Sequence, residues 1–178
     1  MNQVKAVVLA DIGLSLPTYR AAERTFQLIA QAVGRSGRSK RVGEALIQTY
    51  NPEHYAIKFG ASQDYGSFYL KEMQQRRVTE YPPYFNCVLL EFSSSKEEKA
   101  MSSALDFKKE IQGLGIENLI VLGPITPFYS MNNGKHKRVL LLKFKKRESI
   151  DSYLRQLLQR FSSVAGVDIS VNVDPLDY

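Results

Sequence analysis

The chain has 178 residues, 44% of them hydrophobic, which suits one large domain or two small ones and excludes a disordered tail. Its single cysteine, Cys87, excludes an internal disulfide framework and a cysteine-rich zinc module and suits a reducing cytoplasm, while His54 and His136 stand too far apart for a protein-built metal site. A formal net charge of +6 favours polyanionic partners, nucleic acid above all, and no span-length apolar run or signal-peptide pattern points to a membrane.

The pair Pro82-Pro83 can neither continue a helix nor donate to a sheet ladder, so residues 1–85 and 86–178 read as separate blocks. The first block opens on Val4–Ala10, a β-branched apolar run expected as a strand buried on both faces. Gly13 and Pro17 then mark a loop. From Thr18 to Ser36, Tyr19, Ala22, Phe26, Ile29, Ala30 and Val33 keep helical spacing. Ala45–Tyr50 reads as a second strand, giving a βαβ unit. Asn51–Tyr55 is a helix-entry signal in which His54 caps or packs, and a helix is expected over Asp64–Arg77, docked by Tyr65, Phe68 and Tyr69.

In the second block Cys87–Phe92 is strand-like, with Cys87 as a buried small hydrophobe. Ser95 and Glu98 have capping-box spacing for a helix through Ala104 and Ile111, which stops at Gly113 or Gly115. Leu119–Leu122 is the next strand, Asn132–Lys135 a turn, and Val139–Phe144 the return strand. A helix starts at Ser149, carries Ile150, Leu154, Leu157, Phe161 and Val164 on one face, and ends at Gly166. Asp168–Val173 closes the block, with Ile169, Val171 and Val173 inward. The order βαββαβ is that of a ferredoxin-like α+β domain.

One motif carries chemistry. Gln31, Gly34, Arg35 and Arg38 follow at i, i+3, i+4 and i+7, so they share a helical face away from the apolar stripe. Two planar, permanently charged guanidinium groups on such a face can take phosphate oxygens bidentately and neutralise charge during phosphoryl transfer. Gln31 can read an adenine edge or orient a water. A basic helix end stabilised by its own dipole is the plainer reading, but it explains neither the glycines nor the glutamine. Lys40 and Arg41 read as loop-solvating residues.

This Q-A-V-G-R-S-G-R segment resembles motif VI of superfamily 2 helicases, Q-x-x-G-R-x-x-R. The preceding A-D-I-G-L-S-L-P-T-Y-R-A-A-E-R-T-F-Q-L resembles motif V and the following helix of the primosomal protein N′ family of replication-restart helicases. G-E-A-L-I-Q-T-Y-N-P-E-H-Y-A-I, D-Y-G-S-F-Y-L-K-E-M-Q-Q-R-R, Y-P-P-Y and V-D-I-S-V-N-V-D-P fit the same family, so the resemblance runs from Val4 to Asp177. Thr18-Tyr19 stands where the family usually has Asp-Phe, and Ala32-Val33 where it usually has Val-Ala.

The resemblance implies an α/β chain. Residues 1–85 would be the C-terminal part of a RecA-like helicase lobe with motifs V and VI, and residues 86–178 the ferredoxin-like domain. The chain has no G-x-x-x-x-G-K-[ST] loop, no D-E-x-H box and none of the family's zinc-binding cysteines. It therefore looks like the C-terminal fragment of a monomeric, cytoplasmic, ATP-dependent 3′-to-5′ DNA helicase that recognises stalled forks and directs primosome assembly. Arg35 and Arg38 would be the catalytic arginines. Gln31 and Gly34 would bind ATP and its Mg²⁺ together with the absent first lobe, and zinc would belong to the longer protein only. Asp11, at the carboxyl end of a parallel strand, would couple nucleotide to DNA, although a turn or cap role fits it equally. The implied partners are forked or single-stranded DNA, primosome and helicase-loader proteins, and single-strand-binding protein.

A second cluster, Lys135, Lys137, Arg138, Lys143 and Lys145 beside Tyr129, combines phosphate-binding cations with a ring for base stacking. On an extended strand Lys143, Lys145 and Arg147 share a face. A solvated edge strand guarded by lysines reads equally well. The rival to a helicase fragment is a free-standing nucleic-acid-binding module without ATP chemistry, which does not need the Gln31/Gly34/Arg35/Arg38 motif.

Overall fold

The computed structural model describes residues 5–36, 44–127, 131–132, 134–146, 148, 150–163 and 166–175. It is a mixed α/β structure with two sheets, in two compact units that divide between residues 79 and 80.

The first unit comprises β1 (Lys5–Leu9), α1 (Ala10–Leu14), α2 (Ala21–Ser36), β2 (Glu44–Gln48), α3 (Tyr55–Ser62) and α4 (Tyr65–Val78). β1 and β2 run parallel, with Val7 opposite Leu46. The stripe on α2 buries Ile29 with Val8, Ala10 and Ile57, and Phe26 with Ala56 and Phe68. Gly60 lets α3 close on α2, since a β-carbon there would lie 3.0 Å from the Ile29 side chain.

Several expectations change. The loop after β1 contains α1, too short to show a stripe. The helix expected from Thr18 starts at Ala21, because Thr18 is drawn into a turn before it: its carbonyl accepts the Ala21 N–H at 3.1 Å and its hydroxyl accepts the Arg20 N–H at 3.2 Å. The helix-entry signal leads into α3. β1 is not buried on both faces: Val8 is covered, while Val7 and Leu9, with Leu46 beside them, are exposed, because α2 covers one side of the pair. Only Phe68 of the three α4 aromatics docks fully, stacked on Phe26 with centroids 4.2 Å apart. Tyr65 and Tyr69 stay largely exposed, 6.2 Å from each other.

The second unit comprises β3 (Asn86–Ser94), α5 (Glu97–Gly113), β4 (Ile120–Ile125), β5 (Met131–Asn132), β6 (Lys135–Phe144), α6 (Asp151–Ser162) and β7 (Asp168–Val173). The antiparallel order is β4-β6-β3-β7, with β5 paired to β6. Period-2 alternation puts Val88, Leu90 and Phe92 of β3 beside Leu142, Leu140 and Arg138 of β6 on one face. Helices α5 and α6 cover that face with Phe107, Ile111, Leu154, Leu157 and Phe161. Phe107 sits edge-on to Phe92 and Phe161, at 5.5 and 5.2 Å.

Here too the detail differs. The capping box does not form. Lys96 occupies the cap position without a side-chain bond, and the buried Ser94 hydroxyl instead accepts the Lys96 N–H at 3.2 Å and donates to the Gly166 carbonyl at 2.6 Å. β7 is an edge strand whose inward row is only partly covered. Ile169 packs on the core, but Val171 and Val173 are 43% and 51% exposed, because the helical layer stops short of that end. Ser149 and Val164, named for the ends of α6, lie outside the described residues. None of the described helices is long and apolar enough to cross a membrane.

Candidate functional site

Gln31 and Arg35 are exposed on the last turns of α2, and Gly34 between them is half-buried. Arg38 lies outside the described residues. Arg35 sits at the helix C-terminus, where the dipole favours a cation, and pairs with no carboxylate among the described residues. A β-carbon on Gly34 would lie 3.1 Å from Gln63 Nε2, so a neighbouring side chain already uses the space that glycine leaves.

Asp11 is not brought to this turn. α2 leads from the carboxyl end of β1 to the amino end of β2, and its 16 residues span about 24 Å at 1.5 Å per residue. Asp11 and Arg35 therefore occupy opposite ends of the sheet. The Asp11 carboxylate accepts the Thr49 hydroxyl at 2.8 Å and the Tyr50 N–H at 2.9 Å, while Thr49 Oγ1 accepts the Asn51 N–H at 3.0 Å. It ties down the loop after β2, in which the Tyr50 side chain is exposed.

An ionic network that sequence reading missed fastens α4 to the motif-bearing helix. Arg76 donates from Nε to Glu72 and from a terminal nitrogen to Glu23 of α2, each at 2.7 Å. The Tyr55 hydroxyl donates to the other Glu72 oxygen at 2.7 Å, and Glu72 is only 4% exposed. Burial, reinforced by Glu72, pushes the Tyr55 hydroxyl well above its usual range. The guanidinium groups of Arg20 and Arg76 lie 5.6 and 5.2 Å from the Tyr19 ring centroid. The one advance signal was the i, i+4 spacing of Glu72 and Arg76. His54 caps α3: its Nδ1 accepts the Ala56 N–H at 3.2 Å and its ring stacks on Tyr55 at 4.6 Å.

The basic cluster is far less open than its composition suggests. Lys135 pairs with Asp168, Lys137 with Glu91 at 2.8 Å, and Arg138 with Glu97. Arg138 is 5% exposed, because its even position turns it to the helix-covered face, where it also donates to the Lys137 carbonyl at 2.7 Å. Lys143 is 6% exposed on the opposite face, with its ammonium 4.4 Å from the Tyr81 ring centroid. The strand ends at Phe144, so Lys145 lies beyond the ladder; it is exposed and 5.5 Å from the Phe85 centroid. Tyr129 and Arg147 lie outside the described residues. Of the five cations expected to form one surface, Lys135, Lys137 and Arg138 pair with carboxylates, Lys143 is buried beside Tyr81, and Lys145 is exposed.

Cys87 is buried in β3, and burial pushes its thiol up to about 11. Among the described residues no group of three or more His, Cys, Asp or Glu side chains is placed to hold a metal ion.

Residues 77–176 match the family model described as the primosomal protein N C-terminal domain. The chain belongs to this family. It is similar to the "Replication restart protein PriA" of Bacillus subtilis (strain 168), 31% identical over 172 residues, which cover 95% of this chain and 21% of that protein. It is also similar to proteins of the same name from Treponema pallidum, 32% identical over 171 residues, and Thermotoga maritima, 33% identical over 175 residues. Those matches cover 96% and 97% of this chain but 26% and 22% of the relatives. The chain thus spans about a fifth to a quarter of the length of the curated relatives it matches. The primosomal protein N C-terminal domain match takes in every strand and helix of the second unit, whereas α2 and its motif lie before it.

Proposed function

We propose that this chain works as the C-terminal portion of an ATP-dependent 3′-to-5′ DNA helicase of replication restart. In that role α2 forms the motif VI wall of the nucleotide site. The observation that carries the reading is the end of α2, where Gln31 and Arg35 stand exposed one turn apart. The named relatives, which match nearly the whole chain, support it. The parallel β1–α2–β2 unit supports a partial RecA-like lobe. The order β4-β6-β3-β7 with two helices on one face supports a ferredoxin-like second domain.

The residues fit a triphosphate. A planar guanidinium without a carboxylate partner among the described residues stands at the edge of the α/β unit, and Gln31 offers an amide beside it. When bound, ATP with Mg²⁺ supplies the phosphoryl group to be transferred. Arg35 and Arg38 neutralise charge on the terminal phosphate oxygens, and Gln31 orients the attacking water or the base. The phosphate-binding loop and the metal ligands come from outside this sequence. Forked or single-stranded DNA, primosome and helicase-loader proteins, and single-strand-binding protein are the partners of that role, and the cytoplasm is its compartment.

The test is to substitute this chain for the matching section of the Bacillus subtilis relative and to measure DNA-stimulated ATP hydrolysis. Arg35→Ala or Arg38→Ala should lower turnover by about a thousand-fold or more. Arg→Lys should not rescue it, since an ammonium lacks the planar fork. Normal turnover in both alanine variants would reduce the motif to a basic helix end.

A further inference from the structure

Gln63 follows the last residue of α3 with φ at 55°, in the left-handed region where a β-carbon costs energy and glycine or asparagine is the usual choice. Its N–H closes α3 on the Gly60 and Phe59 carbonyls. Its side chain does something separate: Nε2 crosses to α2 and donates to the Ala30 carbonyl at 3.1 Å. The path runs over Gly34, whose missing β-carbon would otherwise lie 3.1 Å from that nitrogen. A disfavoured backbone, a side chain aimed at one carbonyl and a glycine that clears its way converge on the turn bearing Gln31 and Arg35.

We infer that Gln63 is a positioning residue, pinning the last turns of α2 so that the Arg35 guanidinium projects in one direction. Helix ends fray, and a carbonyl held by a second donor from α3 fixes the axis one turn before Arg35. The functional meaning of this pin rests on the nucleotide-site reading given above; its geometry does not. It gives Gly34 a role within the fold itself, as the space through which Gln63 reaches α2.

Hydrogen exchange of the segment 30–36 in the full chain, read beside global unfolding in urea, separates this role from a general structural one. Gln63→Gly relieves the left-handed backbone and removes the pin. Global stability should therefore hold or rise, while exchange of the segment accelerates about tenfold, as expected for one lost hydrogen bond. Gln63→Lys keeps a donor of similar reach and should restore protection. Gln63→Glu, of the same shape but presenting an acceptor to the Ala30 carbonyl, should not. Unchanged exchange in Gln63→Gly, or a loss of protection only in step with global stability, would overturn the inference. These readouts need no nucleotide, so failure of the ATP-site reading shows separately, as normal turnover in the arginine variants.

Discussion

Arg76 on α4 donates to the Glu23 carboxylate on α2 at 2.7 Å, joining side chains 53 positions apart in sequence. The same guanidinium holds the buried Glu72. Breaking a buried pair leaves the remaining charge uncompensated, at a cost of about 3–5 kcal/mol. Arg76→Met should destabilise the first unit by roughly that amount in urea unfolding. Arg76→Met combined with Glu72→Gln should recover much of the loss, because the buried charge is then gone. Equal losses in the single and double variants would show that packing, and not charge, dominates.

His54 caps α3 through an unprotonated Nδ1. Burial, opposed by Glu72, holds its imidazole below the usual 6.5. A folded value below the unfolded one means that the cap contributes fully above pH 6.5 and is lost as pH falls through the folded value. The stability of the first unit towards heat should therefore fall below pH 6.5, by up to about 1 kcal/mol for the cap. His54→Asn, a cap that does not titrate, should flatten this dependence.

Lys145 and Arg138 should behave oppositely towards DNA. If the second unit meets phosphate, Lys145→Ala should lower the slope of log affinity against log salt by about 0.7–0.9 and leave stability unchanged. Arg138→Met should leave the slope alone and lower stability, since the Arg138 side chain is buried and its charge is held by the exposed Glu97. Fluorescence anisotropy of labelled forked DNA at several salt concentrations distinguishes the two.

The chain by itself should hydrolyse no ATP, with or without DNA, because it contains no phosphate-binding loop sequence. A turnover assay on the purified chain checks this. DNA-stimulated hydrolysis abolished by Arg38→Ala would contradict the proposed division of the site.

The second unit's core was legible because alternation is a local signal: Val88, Leu90 and Phe92, then Leu140 and Leu142, declare one face before any partner is known. His54 was legible as a cap from Asn51-Pro52-Glu53 before it. α1 was not, because five residues make too short a stripe. The covering of Val8 but not Val7 depends on which layers are present, which no single strand encodes. The pairing of the basic residues was hidden for a physical reason. Side-chain charge is visible in sequence, but Glu91, Glu97 and Asp168, which compensate Lys137, Arg138 and Lys135, lie on other elements. The Gln63–Ala30 link was invisible for the same reason, since it joins positions 33 apart.

Cys87 has a practical consequence. It is the chain's single cysteine and lies in β3, hydrogen-bonded on one side to β6 and on the other to β7. Buried, and with its thiol pushed up to about 11, it is almost inert in the closed sheet. A thiol-specific dye can then enter only when that sheet opens, so labelling kinetics clock the breathing of the second unit alone. The first unit has no cysteine and is silent in the same assay. The second unit can thus be timed by itself, with no label engineered into the chain.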